Sequence, residues 1–169
     1  MKVAIIGALG AIIAAVITVL LPKLFEQRNR FNDEIAVQVP EIKRVRLEGE
    51  EYDKASAHVR IGEGGIFVGW INDGEWIAFE NVNFGTSGLD VAKAHYASGE
   101  ADGVMTIRLD DPHGRAIGSC NLHATGGWLS WASVPCELEA AITGIHRVTL
   151  LFNGKGTYIA NLDWLEFSL

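Results

Sequence analysis

Two hydrophobic patterns divide the chain. From Val3 to Leu21 runs an uncharged, almost wholly apolar stretch of nineteen residues, ended by Pro22 and Lys23. As a helix rising about 1.5 Å per residue it spans roughly 30 Å, the thickness of a bilayer's hydrocarbon core. From Val45 onward the pattern shortens. Met105-Thr106-Ile107-Arg108-Leu109 alternates apolar with polar, and in His146–Phe152 the alternation puts Val148, Leu150 and Phe152 on one face. Turn signals recur at Gly62–Gly65, Asn72-Asp73-Gly74, Gly85–Gly88, Asp111–Gly114, Gly126-Gly127 and Asn153-Gly154. Short strands closed by frequent turns predict an all-β sandwich or barrel. One helical turn is predicted at Glu137–Ala141. The resulting division is a hydrophobic anchor helix over 1–30, a linker or stalk over 31–44, and a β-domain over 45–169.

The N-terminal run has competing readings. A dinucleotide-binding loop needs glycines spaced G-x-G-x-x-G, but counting from Gly7 the second and third places hold Leu9 and Ile12. A cleaved signal peptide has a shorter apolar core and a small-x-small site after it, and neither feature is present. An uncleaved membrane anchor over residues 3–22 fits best. Gly7, Ala11 and Ala15 form a stripe of small residues on one face of that helix. Such a stripe lets helices approach closely, so a homo-oligomer and a solitary Ala-rich anchor are both compatible with it.

Charge narrows the function. The chain carries 14 Lys and Arg against 21 Asp and Glu, a net charge of −7. Residues 1–44 are net +2 and residues 45–169 net −9, so the β-domain lacks the basic footprint of a nucleic-acid binder. Two Cys are too few for a disulfide-built scaffold. Cys120 and Cys136 flank the Gly126-Gly127 turn and would meet across a hairpin, as a disulfide or as two buried thiols. His58, His95, His113, His123 and His146 are scattered and pair with no nucleophile motif, and no carboxylate pair marks a hydrolytic site. The chain therefore reads as non-catalytic.

Five Trp are many for such a domain. Trp76, Trp131 and Trp164 sit in strand-like patterns and read as core or sheet-face residues. Trp70 precedes an Asn-Asp-Gly turn and Trp128 follows a Gly-Gly turn, which favours exposure. Glu48 and Glu50 share a face if both lie in a strand. With Asp163 they make a hard-oxygen cluster of the kind calcium prefers, or else a solvated acidic edge.

Five segments in order carry a family resemblance: Leu47–Asp53, Val68–Ile77, Thr125–Trp131, Thr143–Leu150 and Asn161–Phe167. Together they resemble the family 6 carbohydrate-binding modules over residues 45–169. The stretch Ala55–Gly65 departs from the family in being short and lacking its usual Ser-Gly-Val. The resemblance implies a jelly-roll sandwich with a sugar ring held between Trp70 and Trp128, and Asn161 bonding its hydroxyls. An indole offers a flat, rigid surface to the apolar face of a pyranose, and an amide both donates and accepts. Tyr158 and Glu75 are the expected rim. The resemblance also implies a structural calcium at Glu48, Glu50 and Asp163, joining the first and last strands. The ligand class is a β-linked polysaccharide or oligosaccharide.

The flanking charges oppose that function. Lys23, Arg28 and Arg30 follow the apolar run, while Lys2 and the α-amino group precede it. The positive-inside rule thus favours a cytoplasmic β-domain, whereas polysaccharide lies outside. The functional argument is given precedence, and an extracytoplasmic, membrane-anchored domain is expected. The alternative is a pilin-like filament subunit that assembles through its N-terminal helix and displays the sandwich as a head.

Overall fold

A computed structural model describes residues 41–99 and 102–169, together with Lys23, Glu26 and Gln27. Those three lie in helical backbone. The apolar run over 3–21 and residues 31–40 of the stalk expected over 31–44 fall outside the described residues, and with them the anchor reading.

Residues 41–169 form an all-β unit of eleven strands: β1 (Arg44–Glu48), β2 (Lys54–Ala55), β3 (Arg60–Ile61), β4 (Val68–Gly69), β5 (Trp76–Asn83), β6 (Val91–Ala97), β7 (Gly103–Leu109), β8 (Ala116–Leu122), β9 (Ala132–Leu138), β10 (Ile145–Gly154) and β11 (Asn161–Ser168). One hydrogen-bonded path runs β2-β5-β10-β7-β8-β9-β6-β11-β4-β3, with β1 paired to β11. Every pairing is antiparallel. The path folds over where β8 meets β9 through only two residue pairs, Gly118 with Leu138 and Ser119 with Glu137. The predicted helical turn at Glu137–Ala141 is therefore absent: Glu137 and Leu138 are spent on this strand pairing.

The alternation read from the sequence is realised. Met105 and Ile107 of β7, and Val148, Leu150 and Phe152 of β10, are all fully buried. They join Ile77 of β5, Ala94 of β6, and Leu165 and Phe167 of β11 in one core. Phe84 meets Phe167 edge to face, with ring centroids 5.1 Å apart. Each of these buried side chains other than Ala94 contributes about 1.5–3 kcal/mol of transfer free energy. The five Trp stay out of this core and all keep some exposure.

Cys120 on β8 and Cys136 on β9 form a disulfide at the fold-over corner, with Cα atoms 4.2 Å apart. The bond closes a loop with a sequence separation of 16. Holding that loop shut in the unfolded chain raises native stability by about 3 kcal/mol in the chain-entropy account. The Cys120→Ser, Cys136→Ser double variant is therefore expected to unfold at lower denaturant, by about 2–4 kcal/mol. Equilibrium denaturation with and without reductant checks this. A wild-type midpoint unmoved by reductant would count against a structural role for the bond.

Candidate functional site

The site is built by three loops at one end of the sandwich. Ile71 and Ile159 are both fully buried, and the Ile159 N–H donates to the Ile71 carbonyl at 2.7 Å. With those side chains committed to the core, the residues just before them turn outward: Trp70 is 41% exposed and Tyr158 37%. Trp70 holds a left-handed backbone, φ +56°, which a bulky residue adopts only under constraint from its surroundings.

The turn that follows Trp70 is held by a carboxylate. Glu75 is only 8% exposed, and its two oxygens accept four bonds. His58 supplies its backbone N–H (3.2 Å) and Nδ1 (2.8 Å), and Asn72 its backbone N–H (2.8 Å) and side-chain Nδ2 (3.0 Å). Burial pushes the Glu75 pKa up, but these donors outweigh it and hold the carboxyl below its ordinary value. Glu75 thus clamps the segment before β3 to the turn that follows Trp70.

The second loop carries Trp128. Thr125 and Ser98 exchange bonds through the Thr125 N–H to the Ser98 carbonyl (2.8 Å) and the Ser98 N–H to the Thr125 hydroxyl (2.9 Å). A turn then closes with the Ser130 N–H on the Gly127 carbonyl, 3.1 Å, which puts Trp128 and Leu129 at its corner. The Trp128 indole lies directly on Gly99, where any Cβ would strike the ring. Tyr158 meets Trp128 nearly perpendicularly, with centroids 6.1 Å apart.

Asn161, at the start of β11, ties these loops together. Its Nδ2 donates to the Trp128 carbonyl at 2.6 Å, and its Oδ1 lies against Gly69, where a Cβ would collide with it. Trp70, Trp128, Tyr158 and Asn161 line a cleft of about 600 Å³, within the range of small-ligand sites. Glu63, Ile66, Phe67, Leu129 and Trp131 complete it. Trp131 was expected among the core or sheet-face residues, but β9 begins one residue later, and its ring sits in the cleft wall against Phe67 (5.5 Å). Its signal in the sequence was its place three residues past Trp128 in the same loop. Trp70 and Tyr158 also line a second, polar cleft of about 700 Å³ with His58, Arg60, Asn72, Asp73 and Glu75.

The acidic residues lie at the β1–β11 edge. Glu48 ends β1, but Glu50 lies in a one-turn 3-10 helix, Gly49–Glu51, so the period-two argument for a shared strand face fails. Glu48 pairs with Arg46 at 2.8 Å. One Glu50 carboxylate oxygen is buried with no hydrogen-bond partner. Burial is the largest influence on Asp163; with Glu48 it outweighs His95 and Arg46, and the pKa is raised. Among the described residues no three His, Cys, Asp or Glu side chains converge as a ready-made metal cage.

Residues 48–169 match the family described as carbohydrate binding module (family 6). Over 99 residues the chain is 36% identical to an arabinoxylan arabinofuranohydrolase of Bacillus subtilis (strain 168), a match covering 58% of this chain and 19% of that enzyme. The chain thus spans about a fifth or less of the length of the first curated relatives it matches. A family 6 module from Clostridium cellulolyticum, solved with xylose, superposes with a TM-score of 0.68 at 35% identity, covering 74% of this chain and 97% of that one. A β-1,3-glucan-binding module of the family from Bacillus halodurans gives 0.66 at 30% identity, covering 74% and 96%. On its sequence, its sandwich and its family match, the chain belongs to the family 6 carbohydrate-binding modules, which bind carbohydrate without catalysing its cleavage.

Proposed function

We propose that this module holds one ring of a β-linked polysaccharide between Trp70 and Trp128, with Asn161 bonding its hydroxyls. The observation that carries the reading is the convergence of these three side chains on one cleft. The indoles supply flat apolar area with little rotamer entropy to lose. Asn161 spends one N–H on Trp128 and keeps its other N–H and its carbonyl for a ligand. Related modules solved with xylose and described as binding β-1,3-glucan support xylan-like or glucan-like ligands. Trp128→Ala is expected to weaken binding by about 2 kcal/mol or more, roughly thirtyfold, with little change in melting temperature. Gly99→Val, which displaces the same indole, should move affinity in the same direction. Retention of the full chain on xylan and β-1,3-glucan gels checks both, and undiminished retention of both variants would remove the cleft from consideration.

A structural calcium at Glu48, Glu50 and Asp163 is part of the same proposal. The buried, partnerless Glu50 oxygen, and an Asp163 disfavoured as an anion by burial and by Glu48, are features that a cation would relieve. The ion would supply positive charge across the β1–β11 pairing, with backbone carbonyls completing an oxygen shell. Binding to the native state alone stabilises by mass action. Chelator should lower the melting temperature, and Asp163→Ala should erase the difference between chelated and calcium-loaded protein. Identical melts with and without chelator in the wild type would defeat the assignment.

The module is further proposed to stand outside the cytoplasm on a membrane anchor formed by the apolar run over 3–21. The Cys120–Cys136 bond supports the location, since such bonds persist in oxidising compartments. Protease added to intact cells should digest residues 45–169. Full protection until the membrane is permeabilised would place the module inside.

A further inference from the structure

The mouth of the cleft is more apolar than sugar hydroxyls call for. Leu129 is 67% exposed and Ile66 59%, and both line the cleft that holds Trp70, Trp128 and Asn161. Both positions are held by local structure. Leu129 shares the turn corner with Trp128, closed by the Ser130 N–H on the Gly127 carbonyl. Ile66 sits in a short loop closed by the Gly62 N–H on the Phe67 carbonyl, 2.8 Å, and by the Gly65 N–H on the Gly62 carbonyl, 3.1 Å. The next residue, Phe67, is buried against Trp131, so Ile66 is turned out to the rim. Among the residues lining this cleft, Glu63 and Asn161 alone bring charged or amide side chains.

A hydroxyl pressed against Ile66 or Leu129 loses its water and gains no partner, which weakens binding. A methyl group in the same place leaves water favourably. We propose that the cleft selects an O-acetylated glycan: the ring lies between Trp70 and Trp128, and the methyl of an acetyl ester on that ring or its neighbour packs on Leu129 and Ile66. This deepens the sugar-binding reading above and rests on it. Unsubstituted chains still bind through the indoles and Asn161, and the ester adds apolar contact that they lack.

The test uses the full chain in detergent and titration calorimetry with four probes. These are acetylated xylo-oligosaccharides, the same oligosaccharides after alkaline de-esterification, and acetylated and plain β-1,3-gluco-oligosaccharides. On whichever backbone binds, the acetylated form should bind tighter, on the order of fourfold for one buried methyl. Leu129→Asn and Ile66→Asn should each bring the ratio of the two dissociation constants toward one. Both sites are exposed, so the variants should fold, and a melting curve checks this. Equal or weaker binding of the acetylated forms, or an acetyl preference that survives both substitutions, overturns the inference and leaves sugar binding standing. No binding to any of the four probes overturns the sugar-binding reading itself, and this inference with it.

Discussion

The aromatic cleft depends on one hydrogen bond made beneath it. The Ile159 N–H reaches the Ile71 carbonyl, and both isoleucines are sealed in the core. That contact fixes the spacing between the loop carrying Trp70 and the loop carrying Tyr158. Because each aromatic immediately precedes its buried isoleucine, neither can retreat into the sandwich without pulling an apolar anchor out. The cleft wall is therefore set by core packing, which is stiff, rather than by the loops themselves. Trp128 has no such anchor below it. It is held from the side by Gly99, by the Asn161 amide and by the Thr125–Ser98 exchange.

The cleft and the acidic edge are joined by a row of rings. Trp131, in the cleft wall, stacks on His95 at 5.8 Å. His95 stacks on Trp164 at 5.2 Å, and the Arg46 guanidinium covers Trp164 at 4.3 Å. His95 is also fixed by Ser133, 2.9 Å from its Nδ1. Three strands and the start of a fourth thus contribute side chains to one outer face. The row accounts for Trp residues that the hydrophobic core does not use.

Much of this was legible in the sequence because the relevant signals are local. Alternation in β7 and β10 follows from the pleat, so Met105, Ile107, Val148, Leu150 and Phe152 were placed correctly. Trp70 and Trp128 lie beside turns, whereas Asn161 and Tyr158 were pointed to through the family resemblance; the four share a cleft. What escaped depends on where a strand begins or on contacts between distant segments. Trp131 missed β9 by one residue. Glu50 left the strand register because β1 ends at Glu48 and the chain coils immediately. Glu75 was expected at the rim of the sugar cleft, but it lines the second, polar cleft instead, with its carboxylate bonded to His58 and Asn72. Nothing in its local sequence shows that His58, seventeen residues earlier, donates to it twice.

The pairing of the first strand with the last has a mechanical consequence. β11 begins at Asn161, in the cleft, and ends at Ser168, which pairs with Arg44 at the start of β1. At about 3.3 Å per residue the two ends of β11 lie roughly 23 Å apart. A pull applied between Asn161 and Arg44 draws β1 and β11 lengthwise past one another. The five residue pairs from Arg44–Ser168 to Glu48–Trp164 then share the load together instead of opening one after another. The strand that positions Asn161 thus makes this edge of the sandwich resist a lengthwise pull in shear, the geometry in which paired strands hold best.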